Sequence, residues 1–129
     1  MKDNSNIFLN KKILIYGLGK SGLSAFNFLK KKNNVFLYDD FELNLRDLIL
    51  KKFLINKKNI LNSKFDIIIL SPGINIDKCK LSKFLKKNYN KIYTDLDIFY
   101  EFNKNDCITI TGTNGKSTTC QLLYEVFLN

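Results

Sequence analysis

The chain has 129 residues, 45% of them hydrophobic, with 21 Lys+Arg against 12 Asp+Glu for a net charge of +9 and no histidine. That length suits one compact domain, or one domain and the start of another, and the apolar share excludes a disordered tail. The missing histidine excludes imidazole acid–base catalysis and His metal ligation within the chain, and Cys79, Cys107 and Cys120, with no C-x-x-C pair, read as small apolar fillers in a reduced compartment, not as a disulfide framework or zinc site.

In chain order, the N-terminus carries Asp3, and the first apolar run, Ile13 to Tyr16, is far too short for a signal peptide. No stretch approaches the roughly 20 apolar residues of a membrane span, so a soluble cytoplasmic protein is expected. Lys12 to Tyr16 lacks helical period and predicts a buried parallel strand. Gly22, Ala25, Phe26 and Leu29 recur at i, i+3, i+4 and i+7, one face of a helix that Lys30, Lys31 and Lys32 close at its negative dipole end. Val35 to Tyr38 is a second strand, and Leu45, Leu48, Ile49 and Phe53 mark a second helix. Positions 55 to 64 have no clear period and suit a short strand or a loop. Asp66 to Leu70 is the clearest strand, followed by a short helix at Leu81, Phe84 and Leu85. Lys91 to Thr94 is a brief strand, and Leu96, Phe99 and Tyr100 suit a connecting helix. Cys107 to Thr111 predicts another strand, and Cys120, Leu123, Tyr124 and Phe127 a final helix. This alternation predicts an α/β fold with a parallel, doubly wound, Rossmann-like sheet.

The six glycines fall in three places, each directly after a strand-like run: Gly17, Gly19 and Gly22; Gly73 after the single proline; and Gly112 and Gly115. A chain that spends glycine so sparingly keeps it where a side chain cannot be accommodated. Gly17-Leu18-Gly19-Lys20-Ser21-Gly22 is a G-x-G-x-x-G between strand and helix: the first glycine allows the tight turn, the second the approach of a phosphate, the third close helix–strand packing. Phosphate oxygens then accept from the first-turn amides. Asp39, ending the second strand, is placed to meet a ribose hydroxyl or a base N–H; capping the next helix is the alternative. Alone, this cluster indicates a nucleotide with a diphosphate, NAD included.

Thr111 to Thr118 carries the end of a P-loop, G-K-[ST], in the shortened form G-x-x-G-K-S-T, since Ile110 stands where the longer loop has glycine. The loop amides would cradle phosphates, Lys116 would sit at the terminal phosphates, and a hydroxyl of Ser117 or Thr118 would bind Mg²⁺; a polar turn at a helix start is the plain alternative. Two phosphate loops in one chain suggest a phosphorylated carrier as substrate, with ATP to activate it. The lysines are spread through the chain and suit solvated helix faces; nucleic-acid binding would need more arginine, of which Arg46 is the sole example, and aromatics interleaved with charge. Neither nucleic acid nor a membrane is expected as partner.

These segments resemble the Mur ligase family over nearly the whole chain. The resemblance rests on Gly17 to Ser24, Tyr38-Asp39-Asp40, Leu70-Ser71-Pro72-Gly73-Ile74, Asp95 to Phe99, and above all Ile110 to Thr119, which matches the family's shortened ATP loop. The G-x-G-x-x-G with the S-P-G-I turn points to the branch that adds D-glutamate. The resemblance implies that residues 1–94 bind the UDP part of UDP-N-acetylmuramoyl-L-alanine through Gly17, Gly19, Lys20, Ser21, Gly22, Asp39 and Gly73. It implies that residues 95–129 begin a central P-loop ATPase domain, with ATP held by Gly112, Thr113, Asn114, Gly115, Lys116, Ser117 and Thr118. Lys116 would be catalytic and Ser117 or Thr118 would ligate Mg²⁺. The implied enzyme is an ATP-dependent, ADP-forming acid–amino-acid ligase, monomeric at full length. The family's remaining metal ligands and its D-glutamate domain would lie downstream, so this chain reads as an inactive N-terminal portion of a longer enzyme. An NAD-binding module, a dehydrogenase domain or a regulatory one, is the alternative.

Overall fold

The computed structural model describes residues 6–41 and 48–128; Asp3, Leu45 and Arg46 lie outside the described residues. Its centre is a four-stranded parallel sheet in the order β2-β1-β3-β4, from β1 (Lys12–Tyr16), β2 (Asn34–Tyr38), β3 (Ile67–Leu70) and β4 (Ile92–Tyr93). The chain leaves β1 to pair β2 on one side, then crosses back so that β3 pairs β1 on the other, with Tyr16 opposite Tyr38 and Leu70.

Both faces are covered, as the continuous apolar runs require. Period-two alternation sends Ile13 and Ile15 to one face, where Phe26 and Leu29 of α1 (Lys20–Leu29), Phe8 and Ile98 of α5 (Asp95–Phe102) pack. Leu14 and Tyr16 point to the other, against Ile60 of α3 (Lys57–Leu61), Phe65, Leu81, and Leu85 of α4 (Ser82–Lys87). The four α1 residues predicted to face the sheet are its buried set. A capping box closes the start of α5, where the Asp97 carboxylate accepts from the Thr94 amide (2.6 Å) and hydroxyl (2.8 Å).

Four expectations need correction. Residues 57–61 are a helix, not a strand or loop; Asn56 caps it by accepting from the Asn59 amide at 2.8 Å, a local signal that outweighs the weak periodicity. Of the helix predicted from Leu45 to Phe53 the described part is α2 (Leu48–Lys51), with Ile49 exposed, and Phe53 lies beyond its end, edge-on against Phe26. Helix α5 is present, but Leu96, Phe99 and Tyr100 are exposed, while Ile98 is buried and Phe102 packs against the same core: the helix docks through i and i+4 on the α1 side. Residues 107–111 form no strand, because a parallel strand needs a hydrogen-bonded neighbour and none of the described residues pairs with them. Cys107 and Cys120 are accordingly exposed, not core fillers.

The last helix, α6 (Lys116–Leu128), has no buried residue. Its predicted face is recognisable even so: Cys120, Leu123 and Phe127 line a hollow of about 440 Å³ with Asp106, Ile108 and Ile110. No helix of the described residues is long and apolar enough to cross a membrane.

Candidate functional site

β1 runs directly into Gly17, whose φ of +95° lies where L side chains are strained. Its N–H donates to the Tyr38 carbonyl (2.9 Å) and its own carbonyl accepts from the Ser71 hydroxyl (2.8 Å), so the turn is held by the ends of both neighbouring strands. A Cβ on Gly22 would stand 1.9 Å from the Gly17 carbonyl oxygen; only glycine lets α1 press this closely on the strand end. Gly19 differs, since a Cβ there would meet nothing within 4 Å. It is the N-cap of α1 and makes no side-chain cap bond, which leaves the first-turn amides, without intrahelical partners by construction, facing outward at the positive end of the helix dipole.

A cleft of about 390 Å³ opens over this turn, beyond the carboxyl ends of β1, β2 and β3. It lies between β1 and β3, whose outgoing connections run in opposite directions, to β2 and to β4, the switch point at which doubly wound sheets hold ligands. Gly17, Gly19, Lys20, Ser21, Asp39 and Gly73, six of the seven residues assigned to the UDP moiety, line it together. Gly22 does not; it is buried behind the turn. Four residues that were not among the candidates also line the cleft: Phe41, Ser71, Pro72 and Ile74. Ser71 had a legible signal in the S-P-G turn after a strand. Phe41, 80% exposed, had none.

Asp39 is engaged on both oxygens: Oδ2 accepts from the Leu18 amide at 2.7 Å and Oδ1 from the Phe41 amide at 3.0 Å. It thereby ties the glycine turn to the residue after β2, and the second lone pair on each oxygen remains for a ligand donor. Its neighbour Asp40 turns the other way. Asp40 Oδ1 accepts from the Tyr16 hydroxyl at 2.6 Å and Oδ2 from the Lys80 amide at 2.9 Å, while the Lys80 ammonium donates to the Asp40 carbonyl. Burial first, and then the bond to Asp40, pushes the Tyr16 phenol far above its ordinary range; burial and the nearby Asp40 charge raise Tyr38 as well.

None of Gly112 to Thr118 lines this cleft. Their loop has Gly112 at φ +147° and Gly115 at φ +76° and opens α6 as the motif requires. The Lys116 ammonium folds back over it, donating to the carbonyls of Gly112 and of Thr113 (3.3 Å), and the Thr119 hydroxyl donates to the Gly115 carbonyl at 2.9 Å. A lysine curled over its own loop is placed to exchange those carbonyls for phosphate oxygens. The exposed Ser117 and Thr118 offer hydroxyl oxygen, which suits Mg²⁺ when phosphate and water complete its shell; among the described residues no cluster of acidic, Cys or His side chains offers a separate metal site.

Residues 11–92 match the family described as Mur ligase MurD-like, N-terminal domain. The chain belongs to that family. Curated relatives carry the name UDP-N-acetylmuramoylalanine--D-glutamate ligase: one from Rickettsia prowazekii is 39% identical over 127 residues, covering 94% of this chain and 28% of the relative. One from Lachnoclostridium phytofermentans is 36% identical over 129 residues (92% and 28%), and one from Wolbachia pipientis 32% over 130 residues (94% and 25%). The chain thus spans about a quarter of the length of the curated relatives it matches. The family match covers β1 to β3, the first residue of β4 and every residue of the cleft, and it favours the ligase reading over the nicotinamide one.

Proposed function

We propose that this Mur ligase chain forms the UDP-binding part of a cytoplasmic ligase that joins D-glutamate to UDP-N-acetylmuramoyl-L-alanine in peptidoglycan synthesis. The observation that carries the reading is the cleft at the sheet's switch point, where Gly17, Gly19, Lys20, Ser21, Asp39 and Gly73 meet. The open side of Gly19 and the first-turn amides of α1 suit a diphosphate, with the Lys20 ammonium as counter-charge and Asp39 accepting from the ribose or the base. Gly22 contributes by packing and not by contact. In this reading residues 1–94 make up the UDP-binding domain and residues 95–129 lead into the ATP-binding one, with α5 docked on the sheet of the first.

In the reaction, the substrate's carboxylate attacks the γ-phosphorus of ATP, giving an acyl phosphate and ADP. The amine of D-glutamate then attacks the acyl carbon, phosphate leaves, and the amide forms with loss of a proton. Gly112 to Thr118 would hold the ATP phosphates in this reading, Lys116 would stabilise charge on the transferred group, and Ser117 or Thr118 would hold a Mg²⁺ supplying charge neutralisation at the phosphates. The chain alone is expected to bind but not to turn over.

Calorimetric titration of the chain with UDP-N-acetylmuramoyl-L-alanine and, separately, NADH tests the reading. Saturable binding of the UDP compound, weakened at least about tenfold in Lys20→Ala, is expected. Tight NADH binding without response to the UDP compound would overturn it.

A further inference from the structure

The segment from Ser71 to Leu81 carries one wall of the cleft, and within it no helix or strand intervenes. Short turns run through it, such as Ile74 N–H to the Ser71 carbonyl (3.0 Å) and Cys79 N–H to the Asn75 carbonyl (3.0 Å). At Gly73 itself a Cβ would meet nothing within 4 Å, while Ile74, Ile76 and Cys79 on the same wall pack partly against the core. The open stretch at Gly73 also depends on the anchors at the two ends of the segment. Ser71 is bonded to the glycine turn at the start, and Leu81 is buried at the end. A further tie is Asp40, which grips the Lys80 amide with one oxygen and the hydroxyl of the fully buried Tyr16 with the other.

Tyr16 is the last residue of β1 and immediately precedes Gly17. Through it, Asp40 links the far end of the Gly73 wall to the strand that supports the glycine turn. Asp40 is not among the residues lining the cleft. We propose that Asp40 is a positioning residue: by bridging Tyr16 and Lys80 it holds the Gly73 wall against the glycine turn and so sets the affinity of the cleft for uridine diphosphate. This rests on reading the cleft as a UDP site. Asp39 and Asp40 then divide the labour at the end of β2, the first fastening the turn and the second the opposite wall.

The test compares the whole chain with Asp40→Ala, Asp40→Asn and Tyr16→Phe, by uridine diphosphate titration and by amide exchange of residues 72–80. Asp40→Ala is expected to weaken binding about tenfold and to speed exchange in 72–80 while β1 and β3 stay protected. Asp40→Asn keeps an oxygen for Tyr16 and loses the acceptor for Lys80, so it should recover part of the affinity. Tyr16→Phe removes one hydroxyl from a ring that stays in place, and about a threefold loss is expected. Unchanged affinity and unchanged exchange in Asp40→Ala would overturn the proposal. So would equal losses in the Ala and Asn variants with exchange raised uniformly over the sheet, which would mark a general stability role. If the unaltered chain does not bind uridine diphosphate, the ligand reading fails, and the exchange of 72–80 alone decides whether Asp40 holds the wall.

Discussion

Two loops of this chain obey the same rule, a glycine-rich turn opening a helix, yet they are held differently. The turn at Gly17 is fastened by Tyr38, Asp39 and Ser71, each from a neighbouring strand end. The loop at Gly112 to Gly115 is fastened by Lys116 and Thr119 of its own helix. Among the described residues every buried hydrophobic lies between Phe8 and Ile98, and α6 buries none. A glycine-rich turn ahead of a helix therefore specifies a local conformation on its own, whereas its rigidity is a property of the sheet around it.

The sharpest way to break this contrast is amide exchange. Amides of Ile13 to Tyr16 and Ile67 to Leu70 should open only with the whole sheet, at roughly 5 kcal/mol or more, while those of residues 120–128 should open at about 1 kcal/mol, a protection difference of about a thousandfold. Equal protection would show α6 packed on a surface, in this chain or another copy.

Substitution of the glycines comes next in size. Gly22→Ala drives a methyl into the Gly17 carbonyl and should cost about 3 kcal/mol, read as a fall in the melting temperature of the sheet. Gly19→Ala, with open space at its Cβ, should leave the stability of the sheet within about 0.5 kcal/mol of the original. Gly115→Ala places a methyl at φ +76° and should cost about 1–2 kcal/mol locally, seen as lost helicity in α6 with the sheet transition unmoved. A lowered sheet transition in Gly115→Ala would show that the two regions fold as one unit.

The same contrast explains what the sequence made legible. Strands β1, β2 and β3, the inward face of α1 and six of the ten residues lining the cleft were readable because continuous apolar runs, a 3.6-residue period and glycine spacing each report a local requirement. The strand expected at 107–111 has the right local pattern, but a parallel strand is completed by partners that its own residues do not encode. The wrong face was chosen on α5 because its apolar residues, Leu96, Ile98, Phe99, Tyr100 and Phe102, surround the helix, and only docking on the α1 side singles out Ile98 and Phe102. Asp40 and Phe41 escaped because their roles are a bond and a wall that no spacing rule reports, whereas Ser71 was legible in its S-P-G turn but was assigned no contact.

The smallest effect concerns the phenols under the cleft. Tyr16 and Tyr38 titrate above the ordinary tyrosine value of 10.0 because burial disfavours their phenolates. Below pH 10 both the folded and unfolded chains keep these protons, and the two tyrosines give stability no pH dependence. Above pH 10 the unfolded chain releases them while the folded one retains them. The unfolded state then binds fewer protons, so stability falls as pH rises, by up to about 1.4 kcal/mol per pH unit for each tyrosine. Urea titrations at pH 9.0, 10.0 and 11.0 should show this decline, and in Tyr16→Phe the slope between pH 10 and 11 should be shallower by about 1 kcal/mol per unit. Below pH 10 that variant should differ only by a constant offset of about 1 kcal/mol, the lost bond to Asp40. An unchanged alkaline slope would mean that the Tyr16 phenolate is solvated in the folded chain, and that the end of β1 is as open as the loop before α6.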